Sequence, residues 1–301
     1  MTADTLPALP RAETPLRRFL ADFFASKLAI AGLAGLFLVM LIAVLAPWIA
    51  PQNPYDLRQL DIMDGRLPPG SKSFSGMTYW LGTDDQGRDM LSGIMYGLRT
   101  SLAVGFGASF IALLIGMSAG LVAAYFGGWV ESLVMRIVDI QLSFPAILIA
   151  LILLAVLGQG VDKIVIALVA VQWAYYARTV RGTALVERRK EYIEAARCLA
   201  LGDRRIVFKH LLPNCLPPLI VVNTVLVASA IALEATLSFL GLGLPVTKPS
   251  LGLLIANGFA YLLSGKYWIS FFPGVALLFT IVCINLVGDQ LRDVLNPRLQ
   301  K

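Results

Sequence analysis

The sequence has few charged residues and few of the side chains that bind metals or form disulfides. Of its 301 residues, 15% are charged, whereas soluble domains have about 25%. The three cysteines, Cys198, Cys215 and Cys283, lack the spacing of metal ligands, and their odd number argues against a disulfide framework. The single histidine, His210, has no potential partner nearby in sequence, so we interpret it as a packing residue rather than a metal ligand or a general base. We therefore expect no metal site.

The sequence also lacks a phosphate-binding loop and a cleavable signal peptide. No Gly-x-x-x-x-Gly-Lys-Ser/Thr motif occurs, so we expect no ATP site of that kind, no cofactor and no catalytic site in this chain. The first apolar run begins near Lys27 and is too long for the core of a signal peptide. It is therefore predicted to remain as a membrane anchor.

Apolar sequence is abundant instead, and it comes in blocks. Hydrophobic residues make up 57% of the chain, and its mean hydropathy is +0.75. A helix that crosses a membrane needs about 20 mostly apolar residues, because its backbone polar groups must be satisfied within the segment. We predict an all-α polytopic membrane protein with six transmembrane helices. The predicted spans are Leu28–Ala50, a segment within Thr100–Val130, Arg136–Leu157, Lys163–Arg181, Cys215–Leu233 and Trp268–Val287.

The distribution of lysine and arginine predicts how these spans are oriented. The net charge of +6 fits positive residues on the cytoplasmic side of a membrane better than nucleic-acid binding. The loop Gly182–Asn214 has seven basic residues and four acids, whereas the only basic residues of 234–267 are Lys248 and Lys266. We predict that both termini and the loop 182–214 are cytoplasmic, and that the loops 51–99 and 234–267 are external.

Two segments outside the spans have predictions of their own. Residues 1–27 form a cytoplasmic tail ahead of the transmembrane domain, 28–301. The tail is predicted to be disordered to about Leu16 and then to form a short amphipathic helix, to Phe24, on the inner membrane surface. The uncharged stretch Ser250–Ser264 is short for a span, so we interpret it as an interfacial or re-entrant segment on the outer side.

Between the predicted fourth and fifth spans the chain has a long, charged, helix-forming segment. Glu187–Leu201 favours a helix, Gly202 fits its C-terminal cap with a positive φ, and Asp203 can cap the next helix. Pro213 is predicted to interrupt that second helix before the fifth span. Its apolar face would consist of Ile206, Phe208, Leu211 and Leu212. A solvated loop that only sets topology is the alternative, but the length and the two-helix pattern favour an element that docks onto a partner.

This segment contains Glu194-Ala195-Ala196, a following glycine and the closing Leu211-Leu212-Pro213-Asn214. In these residues it resembles the EAA loop of ABC importer permeases. The family pattern has a glycine where this chain has Ala200, and Gly202 lies two residues further on. Other segments resemble the dipeptide/oligopeptide/nickel permeases of the same family. They are Trp80–Asp89 with Tyr96–Leu102, Tyr125–Gly128 with Met135–Asp139 and Pro145, and Leu237–Gly243 with Gly288–Asp293, Asn296 and Pro297.

The resemblance implies a type I ABC importer permease-like fold and the second of two permease subunits. It implies these partners: a homologous permease, one or two ATP-binding subunits that hold ATP and Mg, an external substrate-binding protein and membrane lipid. The implied location is the bacterial inner membrane. Di- and oligopeptides are the leading implied substrates, with nickel complexes, opine-like conjugates and oligosaccharides as alternatives. Coupling to the ATPase would involve Glu194, Ala195, Ala196, Arg197, Leu201, Gly202, Asp203 and Arg204.

Two other functions stay open on the residues alone: a stand-alone secondary transporter and a membrane scaffold without transport. A secondary transporter needs ion-coupling acids in mid-membrane and usually has inverted repeats. Asp139 and Glu234 lie near span ends, and no repeat is evident. Asp139 is either structural, as an ion pair with Arg136 one turn away or a link to the coupling loop, or it takes part in the pathway or its gating. Glu234 either lines the pathway or belongs to a solvated helix end.

Two local patterns predict packing and capping. Gly116 and Gly120 form a Gly-xxx-Gly step suited to close helix packing, against a neighbour in this chain or in a partner. Thr83 is predicted to cap an external helix that has two acids in its first turn and an ion pair between Asp84 and Arg88. The spacing of oxygen ligands in a calcium loop is absent there.

Overall fold

The computed structural model describes residues 14–73, 76–245 and 247–295, and most of these are α-helical, which confirms the all-α prediction. The helices are α1 Pro15–Phe24, α2 Lys27–Ile49, α3 Met90–Phe126, α4 Gly128–Leu142, α5 Ala146–Leu157, α6 Val161–Glu187, α7 Glu191–Cys198, α8 Asp203–Arg205, α9 Leu212–Phe239, α10 Leu251–Phe259 and α11 Trp268–Leu295. A π-helical turn, Ile206–Leu211, joins α8 to α9. Single 3-10 turns lie at Leu57–Gln59, Ile62–Asp64 and Leu262–Ser264. The strands β1 Ser71–Lys72 and β2 Thr78–Tyr79 pair antiparallel, with Ser71 opposite Tyr79.

Within the part of the chain that the structure describes, four helical stretches are long and apolar enough to cross a membrane. They are α2, α3, the continuous stretch Asp203–Phe239 that ends in α9, and α11. A fifth span results if α4 and α5 are counted together, although they are bent by 90°. α6 covers the predicted fourth span and has 27 residues. Its polar residues make it less apolar than these helices, so it is not counted among them. The presence of six spans therefore stays a prediction.

The predicted third span, Arg136–Leu157, is not one straight helix. α4 ends at Leu142 and α5 begins at Ala146. Pro145 explains the break, because proline has no N–H to donate and disfavours helical geometry at the residue before it. The chain therefore turns sharply where hydropathy alone predicts a continuous span.

The centre of the bundle is the long contact between α3 and α6. A Cβ added to Gly116 would lie 2.3 Å from the Trp173 carbonyl oxygen, and one added to Gly120 would lie 2.5 Å from that of Ala177. Both distances are far shorter than a real contact, so only glycine allows the helix backbones to approach this closely. The predicted packing role of the Gly-xxx-Gly step is confirmed, and its neighbour is α6 of the same chain.

The uncharged stretch Ser250–Ser264 contains α10, which has nine residues and packs against α9 and α11. The Ser250 hydroxyl caps its first turn by accepting a hydrogen bond from the Leu253 N–H at 3.2 Å. Two glycines allow close packing: a Cβ on Gly252 would lie 2.3 Å from the Ala235 carbonyl oxygen, and one on Gly258 would lie 2.5 Å from the Ser270 nitrogen. α10 is too short to cross a membrane, as predicted.

The segment before α3 is a compact loop rather than the predicted external helix. Thr83 does not cap a helix; its hydroxyl donates to the Asp64 carbonyl oxygen at 2.6 Å and accepts from the Leu67 N–H at 2.7 Å. The prediction failed because these partners are distant in sequence. The predicted Asp84–Arg88 ion pair is present at 4.0 Å and is buried. α3 is capped instead by Asp89, whose carboxylate accepts from the Ser92 N–H at 2.9 Å.

Near the N-terminus, the predicted short helix before the first span is confirmed as α1. It begins at Pro15, slightly earlier than predicted, because proline is well tolerated in a first turn. Phe23 is buried against Ala29 and Val294, and the Gln290 side chain donates to the Asp22 carbonyl oxygen at 3.0 Å. The prediction of disorder for residues 1–13 lies outside the described residues.

Candidate functional site

The segment between α6 and α9 forms one short helix, α7, followed by a turn that leads directly into the helix ending in α9. The predicted helix Glu187–Leu201 is divided: α6 ends at Glu187, and α7 ends at Cys198. Pro213 does not interrupt the chain as predicted. It lies in the first turn of α9, directly after the π-helical turn. A proline is tolerated there because the wider turn relieves the clash that its ring would make in an ordinary α-helix.

The turn after α7 is built around Ala200, not around Gly202 as predicted. Ala200 has a φ of +55°. Its N–H donates to the Arg197 carbonyl oxygen at 2.9 Å, and the Leu201 N–H donates to that of Ala196 at 3.2 Å. These two bonds form a Schellman motif, which requires a left-handed residue at this position. Gly202 is extended, with φ −62° and ψ 146°, and precedes α8.

One face of α7 is buried within the chain itself. Ile193 is 1% exposed and Ala196 is 4% exposed. Both belong to a cluster with Tyr125 of α3 and with Ile206 and Leu211 of the following turn. Ala196 is therefore not part of a surface for a partner, which corrects the prediction that it pairs with Ala195 in docking. Adjacent residues on a helix point about 100° apart, so Ala195 is exposed while Ala196 is buried.

Tyr125, at the end of α3, holds the two sides of this segment together. Its hydroxyl donates to Asp203 Oδ1 at 2.5 Å, so Asp203 binds α3 rather than capping α8 as predicted. The guanidinium carbons of Arg188 and Arg197 lie 6.0 and 5.9 Å from the centre of the Tyr125 ring, a cation–π arrangement. Arg188 also donates to the Ala124 carbonyl oxygen at 2.8 Å. Tyr125 was not predicted as a site residue, because its partners Asp203 and Arg197 are remote from it in sequence.

Glu187 links the end of α6 to the start of α7. Its carboxylate accepts from the Lys190 ammonium at 2.7 Å and from the Tyr192 hydroxyl at 2.8 Å. Burial and then this hydrogen bond raise the pKa of Tyr192 to about 12, so the phenol stays protonated at physiological pH and keeps donating. The turn between the two helices is thereby fixed by a carboxylate with two donors.

The other face of this segment is exposed. Leu199 is 74% exposed and Phe208 is 65% exposed, although Phe208 was predicted to belong to the packed face of the second helix. Leu201 is half-buried. We name the docking surface by its exposed side chains: Glu194, Ala195, Arg197, Leu199 and Arg204. This surface combines charges of both signs with the apolar side chains of Ala195 and Leu199, and it suits recognition of another protein.

The two acids predicted near span ends have other partners than expected. Asp139 pairs with Arg178 of α6, at 2.5 Å, and not with Arg136. Glu234 is fully buried, so it does not belong to a solvated helix end. Its carboxylate accepts hydrogen bonds from Ser101 at 2.9 Å and Ser238 at 2.8 Å. Neither acid belongs to the docking surface.

Comparison with known proteins shows which family this chain resembles in sequence and fold. The model described as "Binding-protein-dependent transport system inner membrane component" matches residues 112–301. The model described as "N-terminal TM domain of oligopeptide transport permease C" matches residues 14–69. An inward-facing structure of the MetNI methionine ABC transporter superposes with a TM-score of 0.56 at 23% identity, over 69% of this chain and 98% of that one, which shows a shared fold.

Curated relatives match this chain over nearly its whole length. A putative peptide transport system permease protein of Brucella suis biovar 1 is 40% identical over 89% of this chain and 87% of its own. The di/tripeptide transport system permease protein DppC of Pseudomonas aeruginosa is 37% identical, over 95% and 93%. The glutathione transport system permease protein GsiD of Pectobacterium atrosepticum is 36% identical, over 98% and 96%. The chain therefore belongs to the binding-protein-dependent transport system inner membrane components, the permeases of ABC importers.

Proposed function

We propose that this chain is one of two permease subunits of an importer for di- and short oligopeptides, and that its docking surface receives an ATP-binding subunit. The names of the relatives support a peptide substrate. One observation carries the coupling role: α7 exposes a mixed polar and apolar face while its other face is locked to α3 through Ile193, Ala196 and Tyr125. Such an element is at once accessible to a partner and rigidly joined to the membrane bundle.

Family membership makes the chain a multi-pass transport permease of the inner membrane that works with an ATPase and a substrate-binding protein. Beyond that, we infer that a homologous permease pairs with it and that the substrate path runs between the two. ATP and Mg would be bound by the ATP-binding subunits, and this chain would have no catalytic site. Both termini and the segment 182–214 would be cytoplasmic, with the loops 51–99 and 234–267 external and lipid around the bundle.

The contacts suggest how motion passes from the docking surface to the path. When the ATP-binding subunits close, they would carry α7 with them. α7 cannot move independently, because Tyr125 binds Asp203 and the Glu187 carboxylate joins α6 to α7. α3, α6 and α9 would therefore move as one body relative to the other permease and change the side to which the path is open. This is a rigid-body switch and needs no covalent chemistry in the chain.

The proposal is tested first by purifying the tagged chain in mild detergent from its native host. We expect a second permease and one or two ATP-binding subunits to purify with it. Recovery of the chain alone, stable and monodisperse, would contradict the importer assignment of its partners. Uptake of Ala-Phe by the complete importer in vesicles then tests the substrate.

The docking surface is tested separately with Glu194→Arg in the assembled importer. Reversal of this charge should lower peptide-stimulated ATP hydrolysis by about tenfold, a loss expected for a central interface residue. Asp162→Asn is the control, because Asp162 is an exposed carboxylate at the opposite end of α6. Unaltered hydrolysis and uptake in Glu194→Arg would remove the coupling role of this surface.

A further inference from the structure

A cavity of about 350 Å³ lies near the other end of the bundle from α7. Three parts of the chain that are far apart in sequence form it: the loop before α3 and α3 itself, the start of α6, and the loop between α9 and α10. In the proposed orientation these parts face the outside of the cell. The volume falls within the range of sites that hold a small molecule.

The polar part of the lining, which we call the rim, is cationic and rich in hydroxyl groups. Its polar lining residues are Tyr55, Tyr96, Arg99, Thr100 and Lys248. Among the described residues, no carboxylate oxygen lies within 4.0 Å of the Arg99 guanidinium or of the Lys248 ammonium. Two exposed cations at one small cavity, without acids of their own, favour an anionic occupant.

The nearest acids in sequence are engaged elsewhere. Asp162, next to the lining residue Val161, pairs with Lys163 at 2.9 Å. Asp56, next to the lining residue Tyr55, accepts hydrogen bonds from the Arg58 N–H at 3.1 Å and from the Gln59 side chain at 3.3 Å. The positive charge of the rim is therefore not neutralised from within the described chain.

The aromatic part of the rim is held in place. Tyr55 and Tyr96 meet edge to face, with ring centroids 5.2 Å apart, and Tyr96 is only 7% exposed. The Tyr55 hydroxyl lies 3.5 Å from that of Thr100. Burial raises the pKa of Tyr55, so at neutral pH its hydroxyl keeps a proton to donate. These groups add neutral donors beside the two cations.

The rest of the lining is apolar, and we call it the floor. It consists of Ala103, Val104, Val161 and Val165. Val104 is 2% exposed, both valines of α6 are half-buried and Ala103 is exposed. The floor therefore lies where α3 meets α6 and is open at Ala103. A ligand that fits both parts has a carboxylate at one end and an apolar side chain next to it.

We propose that this cavity binds the C-terminal end of the peptide substrate, with Arg99 and Lys248 on the terminal carboxylate and the last side chain against the valine floor. The inference rests on the proposed function, because it names the part of a peptide that this subunit recognises. It makes Arg99 and Lys248 specificity residues: a peptide whose C-terminus is amidated would lose the charge that they attract. An acidic surface of the binding protein is the competing occupant.

The test measures binding of radiolabelled Ala-Phe to the purified complex of permease and ATP-binding subunits without binding protein, in competition with Ala-Phe and with Ala-Phe amide. The wild-type complex should bind the free acid about tenfold more tightly than the amide, as expected for a charge-assisted contact. Arg99→Gln with Lys248→Gln should abolish this preference. Arg58→Gln with Lys266→Gln removes the same charges outside the cavity and should retain it.

A second variant tests the floor. Ala103→Trp should weaken binding of Ala-Phe at least about fivefold while leaving Ala-Gly nearly unchanged, because the added ring fills the space for a large last side chain. Assembly of each variant is checked by gel filtration. Equal weakening of both peptides would contradict the position assigned to the last side chain.

The outcomes separate this inference from the proposed function. Failure of the wild-type importer to take up Ala-Phe in vesicles would overturn the proposed substrate, and this inference with it. Normal uptake with no preference for the free acid in the wild type, or with the preference intact in the Arg99/Lys248 double variant, would overturn the inference alone. If the double variant keeps the preference for the free acid but its ATP hydrolysis is stimulated less by the binding protein, the two cations would be assigned to docking of that protein.

Discussion

The hydroxyl of Tyr125, at the end of α3, donates a 2.5 Å hydrogen bond to Asp203, which begins the helical stretch leading into α9. The two residues are 78 positions apart in the chain. This bond fastens the far side of the α7 turn to the longest helix of the bundle. It makes the docking surface an extension of the membrane helices rather than a loop between them.

Tyr125→Phe should therefore loosen α7 without disturbing the bundle. The ring and its contacts with the two arginines remain, and only the hydrogen bond is lost. Because Asp203 is exposed, the cost should be about 1 kcal/mol, below the about 1.5–3 kcal/mol that is typical of a hydrogen bond to a charged group. Hydrogen exchange of the α7 amides in the assembled importer should be about fivefold faster, and less transport should accompany each ATP hydrolysed.

Tyr175→Phe is the matched control for that variant. Tyr175 lies on α6, is 42% exposed, and its hydroxyl has no hydrogen-bond partner among the described residues. Its removal should change neither exchange nor coupling. Identical behaviour of the two variants would show that the Tyr125–Asp203 bond does not hold α7.

Ala200→Gly should stabilise the end of α7. Ala200 occupies the left-handed region, with φ +55°, where a Cβ costs about 1 kcal/mol that glycine avoids. Local opening of α7, measured by hydrogen exchange, should become about fivefold rarer. If α7 opens more often in Ala200→Gly than in the wild type, the conformation assigned to this turn is wrong.

Gly202→Ala is informative as its counterpart. Gly202 has φ −62°, and a Cβ added there would meet no atom within 4 Å. We expect Gly202→Ala to leave hydrogen exchange and uptake unchanged, although Gly202 is the glycine that the sequence alone assigns to the cap. A strong loss of uptake in Gly202→Ala would indicate contact with a partner at that position.

These residues also show what the sequence could and could not predict. Periodicity and hydropathy predict most of the helices, and the Gly116–Gly120 step predicts a close contact, because these properties are local. The cap at Ala200 was missed because Gly202 has the better intrinsic preference, and the hydrogen bonds of the turn decide between them. The partners of Asp139, Thr83 and Asp203 are remote in sequence, so no local rule could select them.

Gly116→Ala should destabilise the α3–α6 contact. Its Cβ would lie 2.3 Å from the Trp173 carbonyl oxygen, and backbone on both sides leaves little room to move. We expect a loss of about 1–3 kcal/mol, typical of overpacking, seen as a lower temperature of aggregation in detergent. Gly107→Ala is the control on the same helix, since its Cβ would meet nothing within 4 Å. Equal stability of the two variants would contradict the close approach of α3 and α6.

The stability of the loop before α3 should depend on pH through Asp84. Burial, only partly offset by hydrogen bonds from the Arg88 and Gln86 N–H groups, raises the pKa of Asp84 from 3.8 to about 6. The folded loop thus favours the protonated carboxyl. This stabilisation is complete below about pH 4 and is lost as the pH rises through about 6; it amounts to about 3 kcal/mol. Opening of the loop should therefore be rarer at pH 4 than at pH 7.

Asp84→Asn tests this dependence, because asparagine keeps an oxygen for the two N–H groups but does not titrate. The rates of hydrogen exchange at Gln86 and Arg88 are corrected for the intrinsic effect of pH. The corrected rates should depend steeply on pH in the wild type and hardly at all in Asp84→Asn. Asp56→Asn removes a less buried acid of the same loop and should retain the wild-type slope. A wild-type slope near zero between pH 4 and 7 would mean that Asp84 is ionised throughout, with the neighbouring Arg88 compensating its burial.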